Sequence, residues 1–278
     1  VIGVPVGRLF AGAIAPGLML IAAFIIYIAV YSALNPKAAP KLDVSLMRGD
    51  ATQNLTSRVL KSLLPPLLLM MAVLGSIFFG IASPTESAAF GAVGALMLAA
   101  MRKSLNRKNL FTAASDTTRL TSMVFMILVG ATAFGLVFRG LGGDTLVNSL
   151  MTSLPGGQWG FLAVSMLVIF LLGFFLDFLE ITFIVVPILA PIAASFGIDL
   201  LWFTILIAVN LQTSFLTPPF GFSLFYLKAA APKEINISHI YRGVIPFIGI
   251  QAAVLILLIA MPSIILWLPN LMDRLQGY

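Results

Sequence analysis

Two polar breaks, Asp177–Phe178–Leu179–Glu180 and residues 210–221, interrupt chain that is otherwise apolar enough to lie in lipid. A bilayer core accepts open backbone and carboxylates only where protein or a water-filled cavity receives them. Two breaks this close in sequence imply an ion or solute site rather than a simple anchor. The surrounding composition excludes a soluble fold. Hydrophobic residues make up 60% of the chain and charged residues 9%, with a mean hydropathy of +1.08. A soluble domain carries roughly a quarter charged residues. The expected class is therefore an all-α membrane protein, a polytopic bundle of helices packed together with lipid as the outer solvent.

Apolar runs cover residues 9–34, 63–81, 88–101, 120–138, 161–176, 181–196, 200–209 and 244–268. The segments 35–62, 102–119 and 228–242 hold most of the Lys and Arg, whereas 139–160 has Arg139 alone. The positive-inside rule puts the three basic segments in the cytoplasm and 139–160 outside. Residues 120–138 then run outward and 200–227 run inward. Residues 161–196 begin and end outside, with Asp177–Glu180 at their turn. That turn has no basic flank, so a re-entrant hairpin is expected in place of two crossings.

Leu9–Phe10–Ala11–Gly12–Ala13–Ile14–Ala15–Pro16 echoes Ile240–Tyr241–Arg242–Gly243–Val244–Ile245–Pro246. The two copies are expected in opposite orientations, the mark of an inverted repeat. The +6 net charge lies in short loops and reads as topology, not nucleic-acid binding. Zero cysteines exclude disulfides and thiolate metal sites. No HExxH, Walker string or nucleophile elbow is present, so an enzyme is not expected. Residues 1–8 are no signal peptide.

Three strings carry a family resemblance. Gly80–Ile81–Ala82–Ser83–Pro84–Thr85–Glu86–Ser87–Ala88–Ala89 resembles a hallmark of the large membrane subunit of tripartite ATP-independent periplasmic (TRAP) transporters. Leu176–Asp177 with Pro187–Ile188 is similar to that family's second hairpin. Asn210–Leu211–Gln212–Thr213–Ser214–Phe215–Leu216–Thr217–Pro218–Pro219–Phe220–Gly221 is similar to its most recognisable string. The resemblance implies a sodium-coupled importer in the bacterial inner membrane, without cofactors. It implies an elevator-like transport domain and two inverted repeats. The implied partners are a small integral membrane subunit, a periplasmic binding protein and an organic acid, such as a C4-dicarboxylate, a keto acid or a sialic acid. The first-repeat portion of the large subunit is then expected on a longer chain or a separate one.

On this reading residues 1–62 hold the last helix of a first repeat plus a connector with an interfacial arm at 35–58. Residues 63–158 are scaffold and linking helices, 159–230 the hairpin and broken helix, and 231–278 a connector and final helix.

Residues 210–221 are the leading site candidate. Asn210, Thr213, Ser214 and Thr217 supply neutral oxygens of the kind a dehydrated sodium ion needs. Pro218 and Pro219 withhold donors and free nearby carbonyls, and Gly221 permits close approach. Gln212, Pro218, Pro219 and Gly221 are expected to line the substrate cavity. The competing reading is a proline kink whose polar residues pair between helices. Asp177 is a second sodium candidate, with oxygens near Thr182, and Glu180 a substrate candidate; a solvated turn is the alternative. Ser83 reads as the cap of a helix whose first turn holds Pro84 and Glu86, with a place for Ser83 and Thr85 in the cavity as the other reading. His239 is expected on the surface, and Gly91 and Gly94 at a helix contact. An ion channel, a structural subunit and a membrane enzyme are the rival functions.

Overall fold

The computed structural model describes residues 3–36, 55–218, 222–232 and 235–276. These form helices and, among the described residues, no strand. Among the described residues six segments are long and apolar enough to cross a membrane: Val6–Leu34, Leu60–Phe78, Pro84–Met101, Arg107–Gly140, Phe178–Ser195 and Ile237–Ala260. Large apolar side chains such as Ile25, Met126, Val129 and Ile256 stand exposed on them. A surface of that kind is tolerable in lipid and an aggregation hazard in water. The chain is an all-α membrane protein.

The helices are α1 (Val6–Leu34), α2 (Leu55–Phe78), α3 (Pro84–Met101), α4 (Arg107–Gly140), α5 (Gly143–Thr152), α6 (Gln158–Leu172), α7 (Phe178–Glu180), α8 (Val186–Ser195), α9 (Leu200–Leu216), α10 (Phe222–Ala230), α11 (Ile237–Ala260) and α12 (Ser263–Gln276). A π-helical turn, Ile181–Val185, joins α7 to α8. The chain divides into two compact units, residues 26–120 and residues 1–25 with 121–278.

In the first unit α2 and α3 form an antiparallel pair. A β-carbon at Gly94 would lie 2.3 Å from Leu69 Cδ1, and one at Gly91 3.2 Å from Val73 Cγ2. Both glycines let the helices approach, as their spacing predicts. Ser76 and Ser87 hydroxyls share a 2.8 Å hydrogen bond nearer the turn. At the far end Arg102 Nη2 donates to Ser62 O at 3.0 Å. Ser83 caps α3: Glu86 N donates to Ser83 Oγ at 3.3 Å, and Ser83 N donates to Glu86 Oε2 at 2.7 Å. That reciprocal pair satisfies donors the helix itself cannot. The capping reading of Ser83 holds; Ser83 and Thr85 are exposed.

In the second unit α9 is mostly apolar and is buried between α6 and α11, with its polar residues gathered toward its C-terminal end. Phe161 stacks near Phe203 with ring centroids 5.8 Å apart. Farther along both helices Asn210 meets Met166, so α6 and α9 run the same way. Trp202 Nε1 donates to Leu258 O at 3.0 Å, while Leu216 packs on the cluster of Leu224, Ile240 and Val244, so α11 runs opposite to α9.

Several boundaries differ from the apolar runs: α9 stays helical through Asn210–Leu216, so the break expected over 210–221 begins only at Thr217, and α2 starts at Leu55 rather than Leu63. α4 starts at Arg107, thirteen residues before the expected span, with Asn106 Oδ1 accepting from Asn109 N at 2.7 Å as its cap. The last apolar run is split at Met261–Pro262 into α11 and α12. Met261 has φ −129° and ψ 75°, the non-helical backbone that a following proline favours. α11 also begins at Ile237, which puts the exposed His239 in its first turn rather than in a loop. The interfacial arm expected at 35–58 lies mainly outside the described residues.

Candidate functional site at the hairpin turn and the helix break

α6 and α8 pack against each other as the two arms of a hairpin. The incoming arm, α6, has 15 residues; at 1.5 Å each it spans about 22 Å, short of a bilayer core of about 30 Å. The outgoing arm is longer than expected, because Phe178–Ser195 is helical throughout and reaches the length of a crossing. Pro187 and Pro191 would ordinarily break it. Pro187 has no N–H for the Phe183 carbonyl, and the chain meets that loss with the π turn, where Val186 N donates to Ile181 O five residues back. Such wide turns recur at functional sites.

Between the arms the backbone leaves the helix at Gly173 and re-enters at Asp177, which has extended φ −72° and ψ 164°. Asp177 N donates to Glu180 Oε2 at 2.8 Å. Glu180 is thus held as part of the turn, and both acids are half-buried. Gly173 itself is pressed against α9. A β-carbon there would stand 2.1 Å from Ser214 Oγ and 2.9 Å from Ser214 Cβ. Only glycine allows this approach, and it brings the hairpin turn against the end of α9.

That end is the second break. Thr217 is extended, with φ −94° and ψ 127°, and its N–H donates to Ser214 O. Helix resumes at Phe222 in α10, which packs on α9 and α11. Pro218 is half-buried; Pro219 and Gly221 lie outside the described residues. Asn210, Thr213, Ser214 and Thr217 follow i, i+3, i+4, i+7 and so form one stripe. Asn210 Nδ2 donates to Met166 O at 2.7 Å, which ties the stripe to α6. Thr213 Oγ1 donates to Val209 O at 2.9 Å, Ser214 Oγ to Leu211 O at 2.9 Å, and Thr217 Oγ1 to Thr213 O at 2.8 Å. Each hydroxyl hydrogen is therefore committed to a carbonyl, which leaves oxygen lone pairs for an acceptor-seeking partner such as a hard cation. Asn210, Thr213 and Ser214 are buried and Thr217 half-buried.

Gln212 points off this stripe. With Thr182 it lines a cavity of about 340 Å³, together with Phe178, Thr204, Phe215 and Ser223. The π turn, α9 and α10 thus each give that cavity a polar side chain. Asp177 sits beside it but is not in its lining. Thr204, Ser223 and Gly173 were not picked out from sequence. Thr204 lies eight residues before Gln212 on the same helix face, a spacing that could have flagged it. Ser223 lies beyond the break, and nothing local marks it.

A hairpin whose turn abuts a broken helix, inside an apolar bundle, is the architecture of membrane transport proteins. Residues 1–264 match the family described as "Tripartite ATP-independent periplasmic transporter, DctM component", and the chain belongs to that family, one of transporters and not of enzymes. It is 31% identical over 271 residues to the C4-dicarboxylate TRAP transporter large permease protein DctM of Pseudomonas aeruginosa, covering 95% of this chain and 60% of that protein. It is 29% identical over 271 residues to the sialic acid TRAP transporter permease protein SiaT of Haemophilus influenzae, covering 96% of this chain and 42% of the relative. Against the ectoine/5-hydroxyectoine TRAP transporter large permease protein UehC of Ruegeria pomeroyi the identity is 27% over 267 residues, with 96% and 60% covered. The chain spans about half the length of these relatives.

Proposed function

We propose that this chain is the part of a TRAP large permease that carries a hairpin and a broken helix, and that it couples sodium entry to the import of a small organic acid. The observation that carries the reading is the contact of Gly173 with Ser214, which sets the hairpin turn beside a stripe of neutral oxygens. Sodium is held by oxygens of Asn210, Thr213, Ser214 and Thr217, with the Asp177 carboxylate and Thr182 close by. The solute takes the cavity edged by Thr182 and Gln212, with Glu180 fixing the turn and Pro218 at the break. Bound sodium offsets the local negative potential and makes the cavity receptive to an anion.

The hairpin is re-entrant, and it moves with the broken helix as one elevator body against the remaining helices. The solute arrives from a periplasmic binding protein, a small membrane subunit braces the complex, and the remainder of the large subunit supplies the other repeat. The expected location is the bacterial inner membrane. One charge crossing 100 mV is worth about 2.3 kcal/mol, so two sodium ions suffice to concentrate an anion. The test is reconstitution of the full complex in proteoliposomes with labelled succinate, pyruvate or N-acetylneuraminate. Uptake that needs both a sodium gradient and the binding protein is expected. Uptake driven equally by a proton gradient alone would remove the sodium assignment.

A further inference from the structure

Between Arg119 and Lys228 the sequence carries a single basic residue, Arg139, alongside the acids Asp144, Asp177, Glu180 and Asp199. An anion near the hairpin therefore meets one side-chain cation in this whole stretch. Arg139 stands in the last turn of α4. Its Nε donates to Gly135 O at 3.2 Å, and Nη2 lies 3.5 Å from where a Gly135 β-carbon would be. The guanidinium has five N–H donors, in a fork that matches a carboxylate. Among the described residues Arg139 forms no ion pair, although Asp144 lines the same cavity.

That cavity is separate from the one at the helix break. It measures about 500 Å³ and lies between the end of α4, α5 and the outgoing arm of the hairpin; small-molecule sites run from about 300 to 1,000 Å³. Arg139, Asn148 and Ser195 give it a polar part, Phe134 and Ile188 an apolar one. Ser195 Oγ donates to Ile192 O at 2.7 Å, so its lone pairs remain to accept. Pro191 has no N–H to return to the Pro187 carbonyl, which is spared as another acceptor. A forked cation, an amide and spare acceptors fit a carboxylate that also bears hydroxyl or amide donors.

We propose that Arg139 and this cavity form an outer anion subsite, which takes the carboxylate of the organic acid before it reaches the hairpin turn. The proposal rests on the transport reading above and adds a specificity residue and a waiting position to it.

The 278 residues contain no cysteine, so Asn148→Cys places a unique thiol of this chain on the cavity wall. In the full complex, in vesicles of zwitterionic lipid, maleimide labelling of that thiol is timed with succinate, pyruvate or N-acetylneuraminate, and with neutral succinamide as control. An acid at ten times its dissociation constant leaves about a tenth of sites open, so labelling is expected to slow about tenfold. Succinamide should not protect. Adding Arg139→Gln should abolish protection, and Arg139→Lys should keep part of it. No protection by any acid, or equal protection with succinamide or with Arg139→Gln, overturns the proposal. Protection by added phosphatidylglycerol but by no acid also overturns it, in favour of a lipid headgroup. Labelling needs no gradient. Failure of protection while sodium-driven uptake persists thus refutes the subsite alone, whereas absence of uptake refutes the transport reading.

Discussion

Replacing Gly173 by alanine tests the contact that joins the two breaks. The new methyl would lie 2.1 Å from Ser214 Oγ, 2.9 Å from Ser214 Cβ and 3.3 Å from Ile169 O. Rotating the Ser214 hydroxyl relieves the first clash but gives up its 2.9 Å bond to Leu211 O, and it does nothing for the second. Overpacking costs about 1–3 kcal/mol and a lost buried hydrogen bond about 1 kcal/mol. Gly173→Ala is therefore expected to destabilise by about 2–4 kcal/mol, read as a lowered thermal midpoint of the purified complex. Displacing Ser214 should also raise the sodium concentration for half-maximal uptake about tenfold or more, at 1.4 kcal/mol per decade. The double variant Gly173→Ala/Ser214→Gly separates the two effects. It should regain stability, because the obstructing atoms are gone, yet keep weak sodium dependence, because the oxygen is gone too. Native stability and native sodium dependence in Gly173→Ala would refute the close packing. Full recovery of sodium dependence in the double variant would refute Ser214 as a ligand.

Asn210→Ala removes the tie to Met166 O and an amide oxygen; it should cost about 1 kcal/mol and weaken sodium activation, both measurable in one uptake and melting series. Thr182→Val keeps the shape of the cavity wall but not its hydroxyl, so the apparent KM for solute should rise while the melting temperature barely moves. Ser83→Ala loses the α3 cap and should cost about 1 kcal/mol, with sodium dependence unchanged; an unchanged thermal midpoint would refute the capping role.

The existence of both breaks was legible because prolines, amides and carboxylates cannot be hidden in an apolar run without a reason, but their bounds were not: residues 210–216 and 178–180 are helical, and the chain leaves the helix at 173–177 and at Thr217. Asp177 does open a new helix, and α9 does end at Leu216. Ser83 was legible as a cap because its signature is local. What sequence did not disclose depends on distant chain. Gly173 looks like any glycine in an apolar segment until Ser214, forty-one residues on, is packed against it. Ser223 reaches its cavity only after the chain has broken and turned. Hydropathy also misplaced helix ends, since the polar N-terminal parts of α2, α4 and α11 and the polar end of α9 extend beyond the apolar runs. The π turn escaped notice because Pro187 and Pro191 suggest interruption, whereas the backbone absorbs Pro187 by widening one turn.

The central claim is that a sodium ion binds where the hairpin turn meets the end of α9. Equilibrium binding of radioactive sodium to the purified full complex tests it without any solute. Saturable binding by the wild type, reduced at least tenfold by Asn210→Ala combined with Ser214→Ala, is the predicted result. Undiminished binding by that folded double variant would contradict it.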